Sequence, residues 1–242
     1  MSELKGNNRG RFSEKKRVLY SMLIPVFFIF VAFTLKLVET LEDVSFVELG
    51  VKPHSLEGLW GILFSPLIHA DWDHLYANAV PMLVLGTALF YFYRDISFKV
   101  FVFIYLFTGI LLWAGGRTGS WHIGASGVIY GLGTFLFLSG IIRNYIPLIS
   151  LSLTVVFLYG SLFWGMFPIK WDLPYSWEAH LSGTLVGIVL AVVYRNEGPQ
   201  KSIPEWFYEE EESEEEPYWV NAEPEKEDPR QDKSDETHLK FT

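Results

Sequence analysis

What most limits the fold of this chain is a series of six apolar runs, each close to the ~20 residues a helix needs to cross ~30 Å of hydrocarbon. They cover residues 18–38, 74–93, 98–114, 124–142, 146–167 and 177–194. Half of the 242 residues are hydrophobic and 17% are aromatic, too apolar a balance for an ordinary soluble domain. The chain therefore reads as an all-α membrane protein, a bundle of six transmembrane helices. The first run is too long for a signal peptide and no small-residue cleavage site follows it, so it reads as a retained span.

Charge divides the sequence into three parts. Residues 1–17 form a basic N-terminus with Lys5, Arg9, Arg11, Lys15, Lys16 and Arg17. Residues 18–195 form the six-helix membrane domain. Residues 196–242 hold 16 Asp/Glu against 5 Lys/Arg, a net of −11, and read as an acidic, disordered cytoplasmic tail with too little apolar content to fold alone. Of the 14 Lys/Arg in residues 1–195, ten fall on the cytoplasmic side if the N-terminus is inside, and four (Lys36, Lys52, Arg117, Lys170) fall outside. Positive residues are retained on the cytoplasmic side, so both termini are expected there. The second, fourth and sixth spans then run inward from the outer face. The charge pattern excludes a basic nucleic-acid surface, and the absence of cysteine excludes a disulfide framework and a thiolate nucleophile.

Residues 41–73 form a long first loop in which Phe46, Leu49, Leu56, Trp60, Leu63 and Leu67 recur. It reads as short amphipathic helices partly in the headgroup layer, with a seventh, re-entrant segment as the alternative.

Three polar clusters interrupt apolar sequence, where ionisable groups are costly and default to functional hypotheses. One holds His69, Asp71, Asp73, His74 and Asn78 at the start of the second span; another is Gly124-Ala125-Ser126-Gly127 at the start of the fourth. The last surrounds His180 in the sixth, with Gly183 and Gly187 after it. Asn78 lies 16 residues from Arg94, Ser126 17 from Arg143, and His180 15 from Arg195. If each arginine marks an inner boundary, a rise of ~1.5 Å per residue puts all three ~22–26 Å above it, within one turn of each other. A single reaction centre requires that coincidence.

Gly127 with Gly131, and Gly183 with Gly187, form GxxxG faces that let helix backbones pack closely in lipid. Such packing would bring the Ser126 hydroxyl to the His180 imidazole, a base that can activate a serine near neutral pH. His74 and Asn78, spaced i, i+4, share a helix face and can serve as donors to an oxyanion. Asp71 and Asp73 read as caps of the second span, His122 as a loop residue, and Glu178 as facing away from the site; His54 and His238 carry no signal. Each motif is weak alone. Two rival readings are a metal-dependent hydrolase using His69, His74, His122 and His180 with Asp71 or Asp73, and a non-catalytic binder in which Ser126 and His180 only satisfy each other.

Taken together, these motifs make the chain resemble the rhomboid family of intramembrane serine proteases. The matching residues are His69, His74 and Asn78 in H-x4-H-x3-N; G-x-S-G at 124–127 with Tyr130 four residues after Ser126; and Ala179-His180 followed by Gly183 and Gly187. The resemblance implies Ser126 as nucleophile, His180 as general base and acid, His74 and Asn78 in the oxyanion site, and Tyr130 stacked on the base. It implies no cofactor and no metal. Substrates would be single-pass transmembrane proteins, entering from membrane lipid and cleaved near the outer face at small or helix-weakening residues. The expected location is a cell membrane, of the bacterial inner-membrane type. One departure stands out: the family often has a Trp-Arg pair in the first loop, and here Trp60 is followed by Gly61, which removes the arginine's structural contribution.

Overall fold

The computed structural model describes residues 3–160, 165, 167 and 176–200, with side chains from residue 14 onward. Readings that concern residues 201–242, including most of the acidic tail, lie outside the described residues, as do Lys170 and most of 161–175.

The expected all-α membrane bundle is what the chain forms. Helix α1 spans Glu3–Glu42, α2 Gly61–Phe64, α3 Trp72–Phe92, α4 Ser97–Gly115, α5 Ser126–Arg143, α6 Ile146–Tyr159 and α7 Trp177–Val193. Within α1 the stretch Glu14–Glu42 is long and apolar enough to cross a membrane, as are α3, α4 and α5; α6 and α7 are shorter apolar helices. The six expected spans correspond to α1, α3, α4, α5, α6 and α7. Helix α1 overruns its expected limits at both ends, because polar residues that end an apolar run do not end a helix. The reading of the fifth span beyond Tyr159 falls largely outside the described residues.

Helix α5 is the core element. Its most apolar window is 61% buried, against 22–33% for the other three long helices, and it packs on α3, α4, α6 and α7. Leu132, Phe135 and Leu136 of α5 are sealed among Met82, Leu85, Leu89, Ile104 and Leu148 from its neighbours. Outward-facing apolar side chains such as Phe27, Phe30, Leu153, Phe157 and Val189 remain exposed, as they should where lipid rather than water is the solvent.

Two devices set the levels of the helices. At the end of the bundle that holds the start of α3, Lys36 of α1 pairs with Glu39 at 3.1 Å and donates to the carbonyls of His69 and Ala70 at 3.2 and 2.8 Å. Glu39 in turn accepts from the Phe46 amide at 2.6 Å, so α1 is tied to the segment that leads into α3. At the opposite end, the buried Arg143 donates to Ser139 and to the carbonyls of Tyr194 and Glu197, which holds the ends of α5 and α7 side by side.

The first loop is built of short helical turns, Val47–Leu49, Glu57–Leu59, α2 and Ser65–Leu67, the last two contiguous. It is pinned to the bundle by backbone bonds. Val51 and His122 exchange amide hydrogen bonds of 2.9 and 2.8 Å, His54 donates to the Trp113 carbonyl at 3.0 Å, and the Trp113 indole donates to Ser55 at 2.8 Å. Gly61 replaces the expected arginine for a steric reason. A Cβ there would collide with the carbonyl of Gly50, so two backbone segments cross at this point and only a glycine lets them pass.

Candidate active site

Three helix starts converge on one layer. Asp71, in extended conformation before α3, accepts from the His74 amide at 2.7 Å. This is an N-cap, and it holds His74 on the first turn with Asn78 one turn deeper. Asp73 lies inside the first turn, where its charge suits the helix dipole but caps nothing.

Gly124 precedes α5 at a φ of +106°, a left-handed conformation that side chains resist. Its amide is held by the Ser65 carbonyl at 2.8 Å. A Cβ on Gly124 would also stand 2.7 Å from the His74 ring. The glycine is thus needed twice, for the turn that starts α5 and for the imidazole that lies against it. Ser126 is the first residue of α5, and Ala125 supplies no side-chain cap, so the amides of this first turn are not bonded within the helix.

Helices α5 and α7 meet along their glycines. A Cβ on Gly183 would run into the Gly127 carbonyl, one on Gly187 into the Gly131 carbonyl, and one on Gly127 would be 2.9 Å from the Ala179 carbonyl. The two backbones touch with no side chains between them. At this spacing Ser126 Oγ lies 2.8 Å from His180 Nε2, and His180 Nδ1 lies 2.8 Å from the Gly165 carbonyl oxygen. A carbonyl only accepts, so Nδ1 carries the proton and Nε2 is left as the acceptor for the serine hydroxyl. The Tyr130 ring stacks on the imidazole with centroids 4.1 Å apart and planes 7° from parallel. His180 and Asn78 are both buried.

Asn78 donates from Nδ2 to the His74 carbonyl at 2.8 Å, which uses one of its two N–H groups. The His69 ring stands edge-on to His74, 5.0 Å between centroids. His69 is 2% exposed; burial, with a smaller contribution from neighbouring His74, pushes its pKa down to about 4, so it stays neutral. Behind these groups, His69, Asn78, Ala125 and Met82 wall a gap too tight to admit water.

Two polar contacts next to the site were not legible in the sequence. His122 is a loop residue, as expected, but it is buried and its Nδ1 bonds the Ser176 hydroxyl at 2.7 Å. Ser176 in turn caps α7 by accepting from the Ala179 amide at 3.1 Å. Burial lowers the His122 pKa. Glu178 turns away from His180 and forms an ion pair with Arg117 of the α4–α5 loop. Among the described residues no three His, Asp or Glu side chains converge as a metal-ligand set.

The Rhomboid domain family matches residues 56–197, more than half of the chain. The chain belongs to the rhomboid family. That makes it a membrane-integral member of a family of intramembrane proteases, and the match covers α2 to α7 with the side chains of Ser126, His180, His74, Asn78, His69 and Tyr130. An uncharacterized protein of Mycobacterium tuberculosis is similar at 37% identity over 166 residues, 65% of this chain and 69% of its own length. A protein of Mycobacterium bovis is similar to the same extent. A Mycobacterium leprae protein is 33% identical over 171 residues, 68% of this chain and 67% of its own length.

Proposed function

We propose that this rhomboid is a serine endopeptidase that cleaves transmembrane segments of single-pass membrane proteins near the outer face of the bilayer. The observation that carries the reading is the relay from Gly165 O through the His180 imidazole to Ser126 Oγ, both links at 2.8 Å. It supports a dyad in which a backbone carbonyl does the orienting that a carboxylate does in a triad.

In this reaction Ser126 Oγ attacks the scissile carbonyl and its proton passes to His180 Nε2. The tetrahedral oxyanion is stabilised by the free N–H of Asn78, by His74 and by the first-turn amides of α5. Collapse breaks the C–N bond, the leaving amine takes the proton from Nε2, and an ester remains on Ser126. Water then gives a proton to His180 and attacks the ester, releasing the new carboxyl terminus and returning the proton to Ser126. Tyr130 keeps the imidazole planar to its own ring through these transfers. An intact substrate helix shields its carbonyls, so cleavage favours segments that unwind locally.

The rest of the reading follows the charge bias. Residues 1–17 and 196–242 are cytoplasmic, residues 18–195 are the membrane domain, and the protein resides in a cell membrane of the bacterial inner-membrane type. Water reaches the site across the polar outer end of α3. The test is labelling of the full-length protein with a fluorophosphonate, together with cleavage of a model transmembrane substrate. Ser126 is expected to be the modified residue, and Ser126→Ala and His180→Ala each lower turnover by roughly 10⁴-fold or more. Equal processing by both variants and the wild type would overturn the proposal.

A further inference from the structure

At the end of the bundle remote from Ser126, the middle of α1, the end of α3 and the start of α4 border an open cavity of about 580 Å³. Among the described residues three cations line it, Lys16, Arg17 and Arg94, and neither aspartate nor glutamate does. Arg17 is already oriented: its guanidinium donates to the Tyr91 carbonyl at 2.8 Å and sits 4.4 Å from the Tyr91 ring centre. One of its five N–H donors is thereby used and four remain. Ser97, also in the lining, opens α4, whose preceding residue Ile96 provides no side-chain cap. The first amides of α4 therefore add their partial positive charge to that of the side chains.

The chemistry of this cavity is that of an anion site, and its setting selects an amphiphilic anion. Arg94 stands 16 residues beyond Asn78 in sequence, ~24 Å along the helix direction, which places it at the boundary between hydrocarbon and water. Tyr20 and Phe90 supply aromatic walls. From Tyr20, Leu23 and Phe27 follow at i+3 and i+7 on α1, 57% and 62% exposed, an apolar stripe leading away from the cations toward the middle of the bilayer. A phosphate held by the three cations would have its acyl chains laid along that stripe.

We propose that this cavity binds the headgroup of an anionic phospholipid, with the phosphate between Lys16, Arg17 and Arg94. The full-length protein is to be examined by native mass spectrometry and by thermal unfolding, with phosphatidylglycerol, phosphatidylcholine and inorganic phosphate as probes. Phosphatidylglycerol is expected to be retained and to raise Tm, whereas phosphatidylcholine and inorganic phosphate are not. Arg94→Gln and Lys16→Gln each lower retention about fivefold, as expected for one interfacial cation. Arg195→Gln, which removes an equal charge from outside the cavity, leaves retention unchanged.

Equal loss in Arg195→Gln would mean that diffuse charge rather than this cavity holds the lipid, and would overturn the proposal. So would protection by inorganic phosphate equal to that by the lipid. Carbodiimide cross-linking of Lys16 to carboxylates of residues 202–242 in lipid-replete protein would also overturn it, by identifying the chain's own acidic segment as the occupant. No readout involves Ser126 or His180, so the result is independent of the proteolytic reading.

Discussion

The two sides of the site are built on different principles. On the α5–α7 side, backbone meets backbone through Gly127, Gly131, Gly183 and Gly187, and the Ser126–His180 distance is set by the closest approach of two helices. On the α3 side, side chains do the positioning: a cap by Asp71, a hydrogen bond from Asn78 Nδ2 to the His74 carbonyl, an imidazole lodged over Gly124. A backbone seam has no rotamers to adjust, so the spacing of the two helices that carry Ser126 and His180 is fixed by the main chain. The oxyanion donors of the proposed reaction, His74 and Asn78, stand instead on a helix start positioned by side-chain contacts.

The α5–α7 seam is most exposed to substitution at Gly183. Gly183→Leu forces α7 off α5 because the added atoms meet the Gly127 carbonyl, and proteolysis and fluorophosphonate labelling are both expected to vanish, with a lowered Tm. Retained labelling would show that the seam does not set the dyad. The α3 side is predicted to be softer. Asn78→Ala removes one donor and lowers kcat by about 10²–10³-fold, by analogy with single-donor losses in other serine proteases, while labelling of Ser126 and Tm stay close to wild type.

Further from the chemistry, Gly61→Arg overfills the crossing with Gly50 and costs roughly 1–3 kcal/mol. Thermal unfolding in mild detergent should register that loss, and a variant as stable as the wild type would mean that the crossing opens without penalty.

The smallest effect is on pH dependence. His69 has a pKa depressed from 6.5 to about 4 by burial, so the unfolded chain takes up its proton first as pH falls. Its contribution is intact above 6.5, declines as pH drops through that value, and is fully lost below about 4. Between pH 7 and 5.5 the change is on the order of 1 kcal/mol, and His69→Gln should flatten that slope in a plot of Tm against pH. An unchanged slope would assign the acid sensitivity to other groups, His122 first among them.

Much of the site could be read without coordinates because lipid makes polarity informative. A histidine, a serine and an asparagine in apolar runs are expensive, and counting from Arg94, Arg143 and Arg195 gave one depth for all three. Arg143 is the last residue of α5 and its side chain reaches the carbonyl of Tyr194, the neighbour of Arg195, so two of the three reference points are level. The glycine faces were readable from their four-residue spacing. Other contacts left no such trace. Gly165 orients His180 through a carbonyl, which every residue possesses; Ser176 and His122 lie 54 positions apart, as no local pattern reveals; and Gly61 looked like the loss of an arginine when it is a crossing point of two backbones.

By itself, the sequence determined the number of apolar helices, the layer in which the polar groups lie and the residue types available for chemistry. It could do so because hydrophobicity and helical rise are local properties, additive along the chain. Only the tertiary structure decided the tautomer of His180, the spacing of hydroxyl and imidazole, and the route of the first loop. Those depend on which backbone atoms from distant segments come into contact, and the carbonyls and amides that make such contacts are the same at nearly every position.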